Sequence, residues 1–502
     1  MKEEISSLLR HGTFKLTKLP AGRRAIGCKW VYRIKRDDTG KIVRYKARLV
    51  AQGFTQRKGT DFHEVFAPVA RMTSQRIVMA IAAIEGLDLF TIDVDNAYLN
   101  GEIDATLYMK QPQGFVDPRY PDTSVWVCQL LKGLYGLKQA GNIWNAAVHA
   151  YLLEIGFRRA DADLCIYTKS HEGGRIAISL HVDDFLTAAT QAQFAWFVEM
   201  MLKRFSIKYS QATMCLGMRI AQIKDGYAFD QQHYLETLLK EFGMQDCKPA
   251  ATPLAKGEVD ALVSGGTGGK KLDPKDHHLY RQIVGKLMYA MVGSRPDLAH
   301  ALSVLGRYSD SPDTYHLAMA RRALAYVKGT LTLKMYYRTR GSNASGNPKL
   351  VGYVDSDYAN SPDRKSTTGL CFYLEGCLVQ WCSKRQTTIA TSTTVAEYFA
   401  LYEASTEAVC LRTLLSDLSI PQKEATLIRE DNQTAIKLAE DETSHKRTKH
   451  ISVKYHYTKE QQDLGVITIA YVPSEENIAD FFTKPLARVQ HQNMCKQLGL
   501  FS

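Results

Sequence analysis

The stretch RIAISLHVDDFLTAA (175–189) decides how this 502-residue chain is read. Apolar and β-branched residues run up to His181 and resume after Asp184, and the adjacent carboxylates Asp183 and Asp184 stand between them. The pattern predicts strand, tight turn, strand, with the acids at the tip. Aspartate is an ordinary turn residue, so the pair alone defines no site. A second acid in a matching setting, Asp93 at the end of LFTIDV (89–94), turns the hairpin into part of a constellation.

Hydrophobic residues make up 45% of the chain and aromatics 10%, which excludes a disordered or fibrous class and predicts two to four packed units. The net charge of +12 suits a polyanionic partner such as nucleic acid. Ten cysteines occur without a C-x-x-C pair or a Cys/His knuckle, so zinc is not expected and reduced thiols are. Cys371, Cys377 and Cys382 lie among apolar residues, as core cysteines do. No apolar run approaches the ~18 residues of a membrane span. The N-terminus MKEEISSLLRHG lacks the apolar core of a signal peptide.

Two alternating runs between Cys28 and Phe54 flank Asp37-Asp38-Thr39-Gly40 and predict a hairpin. Asp38-Thr39-Gly40 also matches the D-T-G of aspartic proteases, but Arg36 and Asp37 precede it where the protease has an apolar strand, so it is read as a turn. Lys29, Arg33, Lys35, Lys41, Arg44, Lys46 and Arg48 make the hairpin a cationic ribbon able to hold phosphates. Periodicity predicts a helix over 73–87, a buried strand over 89–94 and a second helix around Trp144, Val148, Tyr151, Leu152 and Ile155. That order implies an α+β layout with helices on one side of an antiparallel sheet. A helix over 231–242 follows, then the glycine-rich VSGGTGG (263–269), read as a flexible linker, and an α-rich block over 280–331. From Lys349 a separate α/β unit begins: three strands, with a turn at Glu375-Gly376, then a helix over 393–418, a strand ending at Asp431, and a further helix.

Two sets of acids stand at predicted strand ends: Asp93, Asp183 and Asp184, then Asp355, Glu397, Asp431 and Asp480. Two carboxylates ~4 Å apart repel by about 4 kcal/mol at an effective dielectric of 20. A fold that gathers several without bases neutralises them with divalent metal, and oxygen ligands beside phosphate substrates suit Mg²⁺ or Mn²⁺. Singly, each acid reads as surface charge or a helix cap; their joint arrangement carries the inference.

The motifs LFTIDVDNAYLNGEI (89–103), LLKGLYGLKQAGNIW (130–144) and SLHVDDFL (179–186), with KARLVAQGFTQRKGTDFHEVFAPVAR (46–71) upstream, closely resemble the reverse transcriptase of copia-type retrotransposons. The resemblance continues through YLETLLKEFGMQDCKPAATPL (234–254) and YRQIVGKLMYAMVGSRPDLAHA (280–301). It then runs into GYVDSDYANSPDRKSTTG (352–369), ATSTTVAEYFAL (390–401), REDNQTAI (429–436), RTKHISVKYH (447–456) and YVPSEENIADFFTKPL (471–486), which resemble the family's ribonuclease H.

The resemblance implies an α+β right-hand polymerase followed by an α/β ribonuclease H-like domain. It places fingers and palm over 1–225, a thumb-like segment over 226–262, linker and connection over 263–345, and ribonuclease H over 346–502. Asp93, Asp183 and Asp184 match the palm acids that hold two Mg²⁺ or Mn²⁺, with the Val94 carbonyl completing the shell. Tyr98 matches the ring that excludes a ribose 2′-hydroxyl, Lys46 and Arg48 resemble fingers residues near the triphosphate, and Gln139 lies in a motif that contacts nucleotide or template. Asp355, Glu397, Asp431 and Asp480 match the four ribonuclease H acids, again holding two metal ions, with His450 near them as a proton-transfer or phosphate contact. Implied partners are an RNA template, a DNA or tRNA primer, deoxynucleoside triphosphates, an RNA–DNA hybrid, and an integrase or a second copy of the chain, but no membrane. The implied setting is the cytoplasm, within virus-like particles, with nuclear entry.

The sequence departs from the family pattern at His181, Asp95, Ala140-Gly141, Val395 and Ser452; Asp95 adds negative charge beside the palm acids, and none of these removes a metal-binding acid. Nothing resembles the family's coat protein, zinc knuckle, protease or integrase, so the expectation is a piece of a longer polyprotein or of a truncated copy. The competing reading is a decayed or domesticated copy that binds nucleic acid without catalysis.

Overall fold

A computed structural model describes residues 1–36, 41–339, 346–440 and 452–502. Its centre is a six-stranded antiparallel sheet. In spatial order the strands are Ile207–Gln211, Asp88–Val94, Asp184–Ala189, Gly174–His181, Ile166–His171 and Arg158–Arg159. Leu89, Ala177, Leu186 and Ala188 share a core with Ile77, Val78 and Ile81 of the helix Met72–Glu85. Their neighbours Phe90, Ile92, Val94, Ile178, Leu180 and Phe185 point the other way, into a core with Trp144, Val148, Phe194 and Phe197. Those last four residues belong to the helices Ala140–Glu154 and Gln191–Leu202. Helices therefore cover both faces of the sheet, not one as the element order suggested. Double coverage also explains why 89–94 reads as an apolar run rather than an alternation.

A separate four-stranded sheet is built from Phe14–Lys18, Trp126–Lys132, Glu102–Met109 and Ala25–Ile26, and Cys28–Arg36/Ile42–Ala51 form a hairpin. The D-T-G tip of that hairpin lies outside the described residues. The hairpin's two faces differ because side chains alternate. Tyr32, Ile34 and Tyr45 stand on one, and Arg33, Lys46 and Arg48 on the other.

The helices Gln232–Glu241 and Lys256–Ser264 share one core with Pro274–Gly293, Ala299–Gly306 and Thr314–Gly329, through Leu235, Leu262, Leu287, Leu302 and Leu324. The glycine-rich stretch is tied down: Gly265 caps a helix with φ 72°, and Thr267 Oγ1 donates to Asp313 at 3.3 Å. Divisions at 225/226 and 262/263 thus cut through a hairpin, Met218–Ile223/Gly226–Asp230, and through one helical core. That hairpin's sheet continues through Lys334–Arg338 to Leu500–Phe501, so the last strand pairs back onto this sheet.

The C-terminal sheet has the order Cys377–Arg385, Thr367–Leu374, Leu350–Asp357, Thr426–Glu430, Ile467–Tyr471, antiparallel for the first three and parallel thereafter. The helix Thr393–Asp417 packs over it. This unit docks directly on the helix Met72–Glu85. Thr73 Oγ1 donates to Gln380 at 2.7 Å, and the Asp161 amide donates to Asp417 at 2.8 Å. Arg76 is buried at 4% exposure, stacks 3.5 Å from the Trp381 ring centroid, and donates to the carbonyls of Val379 and Val292. All ten cysteines are free thiols. No helix among the described residues is long and apolar enough to cross a membrane.

Replacing Arg76 by leucine orphans two carbonyls and removes the stacked cation, so Arg76→Leu is expected to cost about 2–3 kcal/mol in urea unfolding and to speed hydrogen exchange in Cys377–Arg385. Unchanged stability and exchange would contradict this joint.

Candidate active sites: two carboxylate clusters

His181 pairs directly with Asp184, so Val182 and Asp183 alone make the turn. Val182 holds φ +60°, a conformation that costs a β-branched residue about 1–3 kcal/mol. The turn is anchored from outside: Trp144 Nε1 donates to the Val182 carbonyl at 2.5 Å. Across the sheet Asp184 pairs with Asp93, and the Val94 amide donates to the Asp183 carbonyl at 3.1 Å. The three acids predicted from sequence therefore share one sheet end, with the Val94 backbone between them.

Partial burial, then the charges of Asp183 and Asp93, pushes the Asp184 carboxyl up to about 6. Lys208 faces Asp93 in the neighbouring strand, yet its ammonium pairs with Asp95, which also accepts from Ser206 Oγ at 3.1 Å. The extra charge that Asp95 seemed to add beside the site is thus taken up locally. The donor set that remains is all oxygen and fits a hard divalent ion.

Tyr98 is half-buried and lies edge-on to Tyr135, with ring centroids 4.9 Å apart. The Arg48 guanidinium lies 4.1 Å over the Tyr135 ring. Burial, with Asp183 nearby, raises the phenol of Tyr98, and burial pushes that of Tyr135 up to about 12. Arg48 is thereby brought from the hairpin to the acids, while Lys46 lines an adjoining cleft of about 620 Å³ with Arg44, Asp95 and Lys208.

Gln139 is not at the surface of this site. It is fully buried, its Oε1 accepts from Gln56 at 2.9 Å and its Nε2 donates to the Asp61 carbonyl at 2.8 Å. With both amide atoms bonded it ties the loop around Gln56 and Asp61 to the start of the helix Ala140–Glu154. Tyr135, Trp144 and Lys208 escaped the sequence reading. Tyr135 and Trp144 were inside a quoted motif, but an aromatic in an apolar segment carries no mark of facing an acid.

The second cluster joins Asp355 on Leu350–Asp357, Glu397 near the N-terminal end of Thr393–Asp417, and Asp431 just past Thr426–Glu430. One carboxylate oxygen from each lies within 4.8 Å of the others. Glu397 Oε2 is buried without a hydrogen-bond partner among the described residues, as is Oε2 of the neighbouring Glu430. Burial and Glu430, then Asp355, raise the Glu397 carboxyl far above its ordinary range. Such uncompensated oxygens fit a divalent cation.

Asp480 comes from the short helix Ile478–Phe482 and stands beside this trio without joining it. Its approach depends on Gly369, the cross-strand partner of Asp355: a Cβ there would lie 2.8 Å from the Ala479 carbonyl. Asn477 Nδ2 donates to the Val354 carbonyl at 2.9 Å and fixes the same loop. Burial and Asp355 push Asp480 up to about 7 against the pull of Lys484. His450 lies outside the described residues, as do Lys446, Arg447 and Lys449. Lys484, Thr483 and Glu430 are further neighbours that sequence reading missed.

Residues 11–256 match the family described as "Reverse transcriptase (RNA-dependent DNA polymerase)". The Retrovirus-related Pol polyprotein from transposon TNT 1-94 of Nicotiana tabacum is 37% identical over 504 residues, covering 99% of this chain and 37% of that polyprotein. The chain thus spans little more than a third of that relative's length. The putative transposon Ty5-1 protein of Saccharomyces cerevisiae is 34% identical over 321 residues, 63% of this chain and 100% of that protein. Among solved structures, a foamy viral protease-reverse transcriptase in complex with double-stranded DNA aligns with a TM-score of 0.50 and 13% identity. The alignment covers 94% of this chain and 69% of that one.

The raised carboxyls predict a pH signature. Asp480 moves from 3.8 to about 7 on folding, so its contribution to stability is complete below about pH 4 and lost as pH rises through about 7. In EDTA the melting temperature is expected to fall between pH 5 and pH 8. Mg²⁺ at a hundredfold excess over its Kd should restore about 2.7 kcal/mol at pH 8. A flat pH profile, or one that Mg²⁺ leaves unmoved, would contradict the raised Asp480 carboxyl and the cation site beside it.

Proposed function

The chain belongs to the reverse transcriptase family of copia-type retrotransposon Pol polyproteins, and from that membership we propose that it is an RNA-directed DNA polymerase whose C-terminal unit is a ribonuclease H acting on RNA–DNA hybrids. The observation that carries the polymerase reading is the pairing of Asp93 with Asp184 across two strands, with Asp183 bonded to Val94 beside them.

In this reading Asp93, Asp183, Asp184 and the Val94 carbonyl hold two divalent ions, Mg²⁺ or Mn²⁺. These supply Lewis-acid stabilisation of the charge that builds up on the reacting oxygens. The protein's own groups position the reactants. Arg48, held against Tyr135, and Lys46, on the same hairpin face, offer cations to the triphosphate of an incoming deoxynucleotide. Tyr98, wedged against Tyr135, closes the space a ribose 2′-hydroxyl would need. The primer 3′-hydroxyl attacks the α-phosphate and pyrophosphate leaves. The RNA template and the DNA or tRNA primer lie along the cationic hairpin.

At the second site Asp355, Glu397 and Asp431 hold a divalent ion, with Asp480 alongside, and a water attacks a phosphodiester of the RNA strand in a hybrid. A polyprotein likeness that covers 99% of this chain and the convergence of those acids support the assignment.

The test pairs two assays on one preparation. With poly(rA)/oligo(dT), dTTP and Mg²⁺, wild type is expected to extend the primer, and Asp183→Asn to lose extension by at least about a hundredfold. Asp355→Asn should keep extension and lose hybrid cleavage. Tyr98→Val should lower discrimination against ribonucleotides by about tenfold or more. No extension by wild type, or equal extension by Asp183→Asn, would refute the polymerase. Salt-sensitive hybrid binding without turnover would then leave a nucleic-acid-binding protein.

A further inference from the structure

The fourth acid of the C-terminal site is already partnered. Lys484 Nζ lies 2.8 Å from Asp480 Oδ1 and 3.5 Å from Asp355 Oδ2. Thr483 Oγ1 donates to that same Asp355 oxygen. Asp355 thus presents Oδ2 to the Thr483–Lys484 segment, and it also belongs to the trio with Glu397 and Asp431.

This is not an ordinary surface ion pair, which contributes little. The side chains of Asp355 and Asp480 are only 2% and 10% exposed, whereas that of Lys484 is 38% exposed. The lysine is also held in place from behind. Its amide donates to the Asp480 carbonyl at 3.1 Å, Pro485 follows it, and Asn477 pins the loop to the Asp355 strand. A tethered ammonium therefore stands between two buried carboxylates, within ion-pair distance of both.

We propose that Lys484 is a built-in cation that replaces a second divalent ion between Asp355 and Asp480, so that the C-terminal site of the free protein takes one divalent ion, through Asp355, Glu397 and Asp431. The inference rests on the ribonuclease H reading of this site and departs from the two ions the family resemblance implied there. One ammonium offsets half of the charge of the two acids and offers no empty coordination position. Lys484 accordingly acts as a positioning residue: it holds Asp480 and Asp355 in place and restricts what else binds.

The experiment is calorimetric titration of the full chain with Mn²⁺, comparing wild type with Lys484→Met, Lys484→Gln and Lys484→Arg. The two neutral variants are expected to bind one more ion than wild type, and the arginine variant no more than wild type. Hybrid cleavage followed against Mg²⁺ concentration should change from a Hill coefficient of about one toward about two in the neutral variants. Equal ion counts in wild type and both neutral variants would overturn the proposal, even if cleavage is normal. Absence of hybrid cleavage in wild type would instead remove the ribonuclease reading, and the ion counts would still decide the role of Lys484. Lys484→Gln keeps the side chain polar, so a fold defect confined to methionine does not blur the result.

Discussion

Much of the molecule answers to the two-residue turn that holds Val182 at φ +60°. A one-residue slip would flip the side chains of Asp184–Ala189 to the opposite face and separate Asp184 from Asp93. The register holds because Phe185 and Leu186 each have a separate core to fill, one on either face of the sheet. The Trp144 indole then bonds the strained residue's own carbonyl, so the helix that covers one face also fixes the turn. Strain of this kind persists only where surrounding packing over-determines it.

The C-terminal site solves the same problem by other means. A central strand supplies Asp355, and the absence of a side chain at Gly369 lets a short helix approach closely enough to bring Asp480 alongside. The two sites are also mechanically linked. The helix Met72–Glu85 contributes Ile77 and Ile81 to the palm core, and its Arg76 inserts between Trp381 and Val292. The two carboxylate clusters therefore sit on one continuous core rather than on two tethered bodies.

Most elements were legible because periodicity and burial agreed. The helix expected over 73–87 is Met72–Glu85, and that expected over 393–418 is Thr393–Asp417. The acids Asp93, Asp183 and Asp184 were legible because they stand where apolar strands begin, end or turn. What escaped depends on tertiary context. Gln139 reads from sequence as a nucleotide or template contact, whereas the structure buries it and bonds its amide to Gln56 and Asp61. Asp95 looked like a surplus charge, yet Lys208, more than a hundred residues later, pairs with it. The glycines of 263–269 looked like a tether, yet the helices on either side share a core. No local pattern reports a partner that distant in sequence, and helices on one face of a sheet look the same in sequence as helices on both.

The most direct measurement of the central claim is a crystal of the full chain grown with Mn²⁺ and read by anomalous scattering at the palm. The account predicts a metal peak bonded by carboxylate oxygens of both Asp93 and Asp184, within ~2.4 Å of each. A peak bonded to one strand's acid alone, or Asp93 turned away from the Val182–Asp183 turn, would contradict it.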